Sequence, residues 1–366
     1  MSVTAALTEV GGAPFALREV QLDQLRPDEV LVKVAASGVC HTDLSLRDQL
    51  FESPLPIVLG HEGAGVVQAV GDRVTRVSPG ERVTLTYNSC GHCRNCLSGV
   101  PAHCYEHAQR NFGSQRTDGT TAITCDGVRV ASHFFGQSSF ATHAVAVERT
   151  VLPIADDVPF ELVAPFGCGV QTGAGTVLNV MRPPAGTAIA VFGAGCVGMS
   201  AVMAARIAGC GRVIAVDLVQ SRLNLALELG ATDVVNAGDQ DPVAAIQELT
   251  GGGAEFSLDA TGVPAVLRQA VECTRPLGTT AIVGSPAPGS ELPLDIIAMI
   301  ITGRTVVGVA EGRSLPQVFI PRLLDLWRQG RFPVDRIIET FPFEQINEAA
   351  EAAHSGAVIK PVLTMA

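Results

Sequence analysis

The stretch "TAIAVFGAGCVGMSAVMAARIAGCGRVIAVD", residues 187–217, limits the possible folds more than any other part of the chain. An apolar run suited to a buried strand breaks at "GAGCVG", resumes as a helix-like run, and closes on a second apolar run ending in Asp217. A G-x-G-x-x-G turn between strand and helix is a dinucleotide-binding fingerprint. Its first two glycines permit a tight turn and close approach of the backbone to a pyrophosphate, which rests on the helix N-terminus. Here they are Gly193, Gly195 and Gly198, with Ala194, Cys196 and Val197 completing the loop. Asp217 falls near the roughly 20-residue spacing at which an acidic side chain accepts hydrogen bonds from the adenosine ribose. Its charge would repel a 2′-phosphate, which favours NAD over NADP.

The same alternation continues. "TDVVN", "AEFSLDAT", "TTAIVG" and "TVVGV" are further short apolar runs, and "VQSRLNLALELG", "DPVAAIQELTG" and "VPAVLRQAVECT" between them have helical character. Six such strands with crossover helices predict an α/β fold with a doubly wound parallel six-stranded sheet, a Rossmann domain over residues 170–310. The first 150 residues read differently: "EVLVKVAAS", "GAGVVQAV" and "ERVTLTY" are β-like runs separated by Gly, Pro and Asp turns, the pattern of a small β-rich barrel. From about residue 311 the alternation stops and the tail is expected to rejoin the first domain. That makes 1–169 and 311–366 one domain with the nucleotide domain inserted. A chain of 366 residues is long enough for two cores.

A formal net charge of −11 argues against a nucleic-acid or anionic-membrane surface. Residues 162–181 and 187–205 are uncharged and about long enough to span a bilayer. Both are glycine-dense, and the second divides into strand-like and helix-like halves, so no membrane span is expected. "MSVTAALTEV" lacks a basic n-region and meets Glu9 early, so no secretory signal is read there. A cytoplasmic protein follows, its ten cysteines thiols or metal ligands rather than disulfides.

"CGHCRNCLSGVPAHC", residues 90–104, spaces Cys90, Cys93, Cys96 and Cys104 as C-x2-C-x2-C-x7-C. Thiolates at such intervals wrap one zinc ion tetrahedrally, because each short gap turns the loop back onto the same ion. Bacterial ferredoxin spacing would need a three-residue last gap followed by proline, whereas Tyr105 follows here. Four thiolates leave no corner for substrate, so this site is structural. His92 and His103 in the same window read as solvated loop residues.

A catalytic zinc needs three protein ligands and an open position. Candidates lie in "GVCHTD", "GHEGAGVV" and "PFGCGVQTGAG", each weak alone, since a lone Cys or His is more often a core residue. Together with the four-cysteine lobe, "GAGCVG" and the closing "FPFEQINEA", they make the sequence resemble the zinc-dependent medium-chain alcohol dehydrogenases from end to end. "RDQ" (47–49), "HFFGQSSFATHA" (133–144) and "EGRSLPQVFIP" (311–321) resemble the benzyl or aryl-alcohol dehydrogenases within that family.

The resemblance implies a GroES-like catalytic domain around the Rossmann insertion, and two zinc ions per chain. It makes Cys40, His61 and Cys168 the catalytic ligands, with Glu62 behind them as an alternate ligand. Substrate would bind zinc as an alkoxide and release hydride to NAD. Thr42 would accept the alcohol proton, and Asp43 would hold His61 by its other nitrogen. Many family members carry a histidine five positions after the first zinc cysteine, where this chain has Ser45, so Ser45 or a water chain would end the proton relay. His41 and Lys360 would lie near the pyrophosphate, Arg222 near the ribose and Thr172 under the nicotinamide. Val309 and Glu311 would present backbone groups to its amide. Phe51, Phe134, Phe135 and Thr86 would line the alcohol pocket, which suits a flat apolar aryl or allylic alcohol.

The nearest rival is an enzyme oxidising the glutathione adduct of formaldehyde, which needs cations for the glutathione carboxylates; no arginine falls at the aromatic pocket positions. A nucleotide or zinc sensor on the same fold is the non-enzymatic alternative. Apolar residues 296–309 are expected to extend sheets between subunits, giving a homo-oligomer, dimer or tetramer.

Overall fold

The computed structural model describes residues 1–365. The chain divides into two compact units: Met1–Cys168 with Leu315–Pro321 and Asp335–Ala366, and Gly169–Ser314 with Arg322–Val334. The second unit thus takes up a short piece of the C-terminal region, Arg322–Val334, besides its main segment.

In the second unit six parallel strands stand in the order Asp233–Asn236, Arg212–Asp217, Ala188–Phe192, Ala254–Asp259, Thr274–Ile282, Thr305–Gly308. The chain therefore starts at the centre, winds to one edge, and returns to wind to the other, leaving a crevice beside Ala188–Phe192 where nucleotides bind in such sheets. Every residue of Ala188–Phe192 is buried. A parallel strand covered on both faces by crossover helices needs such an unbroken apolar run, which is why its period resembled neither an amphipathic strand nor a helix. Helix Cys196–Ala208 follows immediately and ends at Gly209 in the left-handed conformation.

Residues 296–309 differ from the sequence expectation. Ile296–Thr302 is a helix, capped by Asp295, whose side chain accepts the Ala298 N–H, and stopped at Gly303 with φ 60°. Its Ile296, Ile297, Ile300 and Ile301 face outward. Only Thr305–Gly308 is a strand, at the sheet edge. Apolar content alone does not separate a short strand from a helix; the cap and the stop do.

The first unit is β-rich. Its larger sheet pairs Glu29–Gly38 with Gly63–Val70, with His143–Val147, and with Lys360–Thr364 from the far end of the chain. The C-terminal strand enters antiparallel, Val362 opposite Gly38 and Thr364 opposite Ala36. This register carries Lys360 to the residues that precede helix His41–Arg47.

One ionic cluster braces this sheet. Buried Glu29 accepts from Arg116 Nε at 2.7 Å and Nη2 at 2.9 Å, from the Arg26 N–H at 2.9 Å, and faces His133 Nε2 at 3.1 Å. Burial pushes the Glu29 carboxyl up, but the bonds from His133, Arg116 and Arg26 prevail and hold it at about 2, below the ordinary 4.5. A carboxyl depressed on folding stabilises the protein fully above its unfolded value and loses that contribution as pH falls through its folded value. The expected contribution is about 3 kcal/mol at neutral pH. In urea titrations the stability gap between the natural protein and Glu29→Gln should therefore narrow as pH falls from about 4.5 toward about 2. A gap independent of pH would refute the assignment.

Among the described residues no helix is long and apolar enough to cross a membrane, and the ten cysteines are free thiols.

Candidate active site

Cys40 stands at the N-terminus of the helix His41–Arg47, and Asp43 in its first turn reaches back to accept the Cys40 N–H at 3.0 Å. The other oxygen of Asp43 accepts the Gly60 N–H at 3.0 Å and lies 2.9 Å from His61 Nδ1. One fully buried carboxylate thus fixes both Cys40 and His61. Because a carboxylate only accepts, it keeps the ring proton on Nδ1 and leaves the Nε2 lone pair pointing the other way.

That Nε2 is buried and has no hydrogen-bond partner among the described residues. An orphaned buried nitrogen is costly, unless it serves as a ligand. One donor atom each from Cys40, His61, Glu62 and Cys168 lie within 4.8 Å of one another. A hydrogen bond from Cys168 holds the Cys40 thiol well below its usual range, although burial pushes it up. Burial opposes a charge on His61, but Asp43 and Cys40 raise it well above its ordinary value. Donors that share protons so closely are suited to exchange them for a divalent cation.

Glu62 is fully buried, and Lys360 Nζ donates to its Oε2 at 2.7 Å and to the Val39 carbonyl at 3.1 Å. Burial pushes the Glu62 carboxyl up against the opposing charge of Lys360. Lys360, expected at the pyrophosphate, is a buried side chain holding Glu62 from behind. Thr42 Oγ1 lies 3.7 Å from Cys40 Sγ. Ser45 is half-buried on the same helix, and His41 is exposed at its start. Thr86 is fully buried and donates its hydroxyl to the Gly167 carbonyl at 2.8 Å, so it steadies the turn that presents Cys168.

Phe135 stacks on the His61 imidazole, centroids 4.5 Å apart with 30° between planes, and Phe134 meets it edge-on at 5.3 Å. Both come from a turn in which His133, Phe135, Gly136 and Ser138 have positive φ. Such strain needs external fixing. It comes from Glu29 on His133, from Ser138 Oγ donating to the Val58 carbonyl at 2.7 Å, and from Gln137. Gln137 Nε2 donates to the His61 carbonyl at 2.9 Å and to the Thr86 carbonyl at 3.2 Å, while its oxygen accepts the Gly63 N–H. Phe51 packs half-buried against the same core. Phe112, which the sequence did not single out, completes the aromatic group 5.2 Å from Phe135. It sits just past the cysteine lobe, where nothing local marks it.

In that lobe the four sulfurs of Cys90, Cys93, Cys96 and Cys104 lie within 4.8 Å of one another. Cys93 and Cys96 are 3.5 Å apart, and Cys90 and Cys96 3.8 Å, near the roughly 3.8 Å edge of a tetrahedron with zinc–sulfur bonds of 2.3 Å. N–H groups of Cys90 and Glu106 point at Cys104 Sγ, and that of Cys93 at Cys90 Sγ. Backbone N–H groups of Tyr105 and Cys96 draw the Cys93 thiol down to about 6, and burial pushes Cys96 up to about 12. His92 is exposed, whereas His103 is half-buried and its carbonyl accepts from Asn95, so the expectation of a solvated His103 does not hold.

In the second unit Gly193 turns with φ 89°, a Cβ on Gly195 would meet open space, and one on Gly198 would run into the Gly193 carbonyl. That leaves an uncluttered cradle at the start of helix Cys196–Ala208, of the shape a pyrophosphate needs. Asp217 ends its strand and accepts the N–H groups of Ala194 at 2.7 Å and Val219 at 2.9 Å. Arg222 lies in the next helix, Gln220–Leu229. Thr172 Oγ1 donates to Glu311 at 3.4 Å, and Val309 is buried beside that turn.

Thiol–imidazole donors in one unit and a nucleotide cradle in the other define a metal-dependent oxidoreductase class. Residues 26–156 match the family described as alcohol dehydrogenase GroES-like domain, and residues 196–328 that described as zinc-binding dehydrogenase. The chain is 48% identical over 361 residues to geraniol dehydrogenase of Castellaniella defragrans, covering 98% of this chain and 96% of that one. Its fold matches the crystal structure of benzyl alcohol dehydrogenase from Acinetobacter calcoaceticus with TM-score 0.96 and 44% identity, covering all of both chains. A zinc-binding domain alcohol dehydrogenase from Burkholderia ambifaria matches with TM-score 0.97 and 49% identity over 100% of this chain and 99% of that one. The chain belongs to the zinc-binding alcohol dehydrogenases.

Proposed function

We propose that the protein interconverts small primary aryl or allylic alcohols and their aldehydes with NAD as hydride acceptor. Cys40, His61 and Cys168 are the proposed ligands of a catalytic zinc, and Cys90, Cys93, Cys96 and Cys104 those of a structural one. The observation that carries the reading is the Asp43 carboxylate joined to both Cys40 and His61, with His61 Nε2 left unpaired among the thiols. Bound there, zinc supplies Lewis acidity to the substrate oxygen, and the dinucleotide accepts the hydride.

The chain's own residues do the rest. Asp43 keeps His61 in the ligating tautomer. Thr42, beside Cys40, takes the alcohol proton through its hydroxyl and hands it toward Ser45 and solvent. Phe135 and Phe134, with Phe112 packed behind them, form an apolar wall against His61 that excludes water and favours flat substrates over short aliphatic ones. The names of the similar proteins, a geraniol and a benzyl alcohol dehydrogenase, support the same substrate class.

Metal analysis and a rate panel test this together: benzyl, cinnamyl and geranyl alcohols against ethanol and the glutathione–formaldehyde adduct, each with NAD and NADP. The expected result is two zinc ions per chain and the best kcat/KM with an aryl or allylic alcohol and NAD. One zinc and no turnover would favour a sensor, and preference for the glutathione adduct would overturn the substrate class.

We further infer a cytoplasmic homo-oligomer built on the edge strand Thr305–Gly308 and the outward isoleucines of Ile296–Thr302, since an open edge beside apolar surface invites pairing. Sedimentation velocity should show a dimer or tetramer that Ile300→Glu weakens; a monomer at micromolar concentration would contradict this.

A further inference from the structure

Glu311 is a buried residue with positive φ. Its side chain does something more specific. Glu311, Gly312 and Arg313 are three consecutive residues with positive φ, 47°, 60° and 46°. Two of them carry side chains, so the turn is strained. It is sutured to the segment Gln171–Asn179 at several points. Ser314 Oγ donates to Gln171 Oε1 at 2.6 Å, and Asn179 Nδ2 donates to the Gly312 carbonyl at 3.1 Å. A Cβ on Gly175 would press on Gly312 Cα, so the two backbones touch. Glu311 Oε2 accepts from Gln171 Nε2 at 3.3 Å and from Thr172 Oγ1 at 3.4 Å. Glu311 is buried, where a charge on its carboxylate would be poorly screened by water.

We propose that the Glu311 carboxylate is a positioning residue for the nicotinamide, which fixes Thr172 beneath the ring and discriminates the oxidised from the reduced cofactor. This rests on the reading above that Thr172 lies beside the nicotinamide. The oxidised ring is a cation and the reduced ring is neutral. A fixed negative charge a few ångströms behind the threonine therefore favours the first over the second, while the hydrogen bonds alone serve both equally. Strain in the turn follows from bringing that carboxylate inward.

The test is direct binding, not turnover. NADH is titrated by its fluorescence and NAD by calorimetry, for the natural protein, Glu311→Gln and Glu311→Asp. Glu311→Gln should weaken NAD about 10-fold and NADH less than about 3-fold, the difference being the lost charge. Glu311→Asp keeps the charge but shortens the reach, so both affinities should fall while their ratio stays nearer the natural protein's than that of Glu311→Gln. Zinc content should be that of the natural protein in both variants. Equal weakening of both cofactors by Glu311→Gln would reduce the residue to a brace and overturn the proposal, as would a ratio shifted as far by Glu311→Asp as by Glu311→Gln. Failure of the natural protein to bind either nucleotide would instead remove the underlying reading.

Discussion

Replacing His61 with alanine is expected to lower turnover by at least about 1,000-fold, since Lewis-acid activation at such a site is worth several kcal/mol. The same change should take the metal content from about two ions per chain to about one, because the four-thiol lobe is a separate closed site. The two readouts are linked by one geometric fact: His61 Nε2 is a buried ligand atom with no hydrogen-bond partner among the described residues. Asp43→Asn should act more mildly. Asparagine can still accept from Cys40, but its amide can oppose His61 Nδ1, and loss of such a supporting carboxylate costs about 10- to 100-fold in metal affinity. Elemental analysis and steady-state rates on both variants decide the matter. A His61→Ala protein that keeps its second ion and its turnover would end the assignment.

Changing Asp217 to serine should raise the ratio of NADP to NAD efficiencies about 10- to 100-fold, because a carboxylate facing a 2′-phosphate is removed. Asp217 also accepts the N–H groups of Ala194 and Val219. Its loss should therefore loosen the glycine loop and weaken NAD in its own right, so part of the changed ratio comes from NAD declining. A neutral but hydrogen-bonding asparagine separates the two effects, keeping an acceptor for the loop while removing the charge. If Asp217→Ser leaves the efficiency ratio where it was, the ribose role of Asp217 is wrong.

The helix Ile296–Thr302 shows how far pattern reading goes. Its isoleucines marked it as apolar but not as helical, and the decision lay with Asp295 and Gly303 at its ends. Lys360 shows another limit. Its spacing says nothing of Glu62, and it is the C-terminal strand's register against Glu29–Gly38 that carries its ammonium there. His133 and Phe135 carry the third. Their positive φ values are sustained by Glu29 and by the bonds that neighbouring Gln137 and Ser138 make to His61, Thr86 and Val58, groups no short window brings together.

What the amino-acid order settles alone is whatever depends on neighbours along the chain. The glycine turn between an apolar run and a helix, the six parallel strands, and the thiol spacing of 90–104 are of this kind, since backbone sterics and ligand reach act over a few residues. The tertiary structure decided everything that depends on partners distant in sequence. It let one carboxylate at Asp43 serve two separate ligands, set Lys360 behind Glu62, laid Phe134 and Phe135 against His61, and turned Glu311 inward onto Thr172. The reason is physical: a buried polar atom must find a partner, and which partner comes within 3 Å or so follows from how sheets and helices pack, not from spacing.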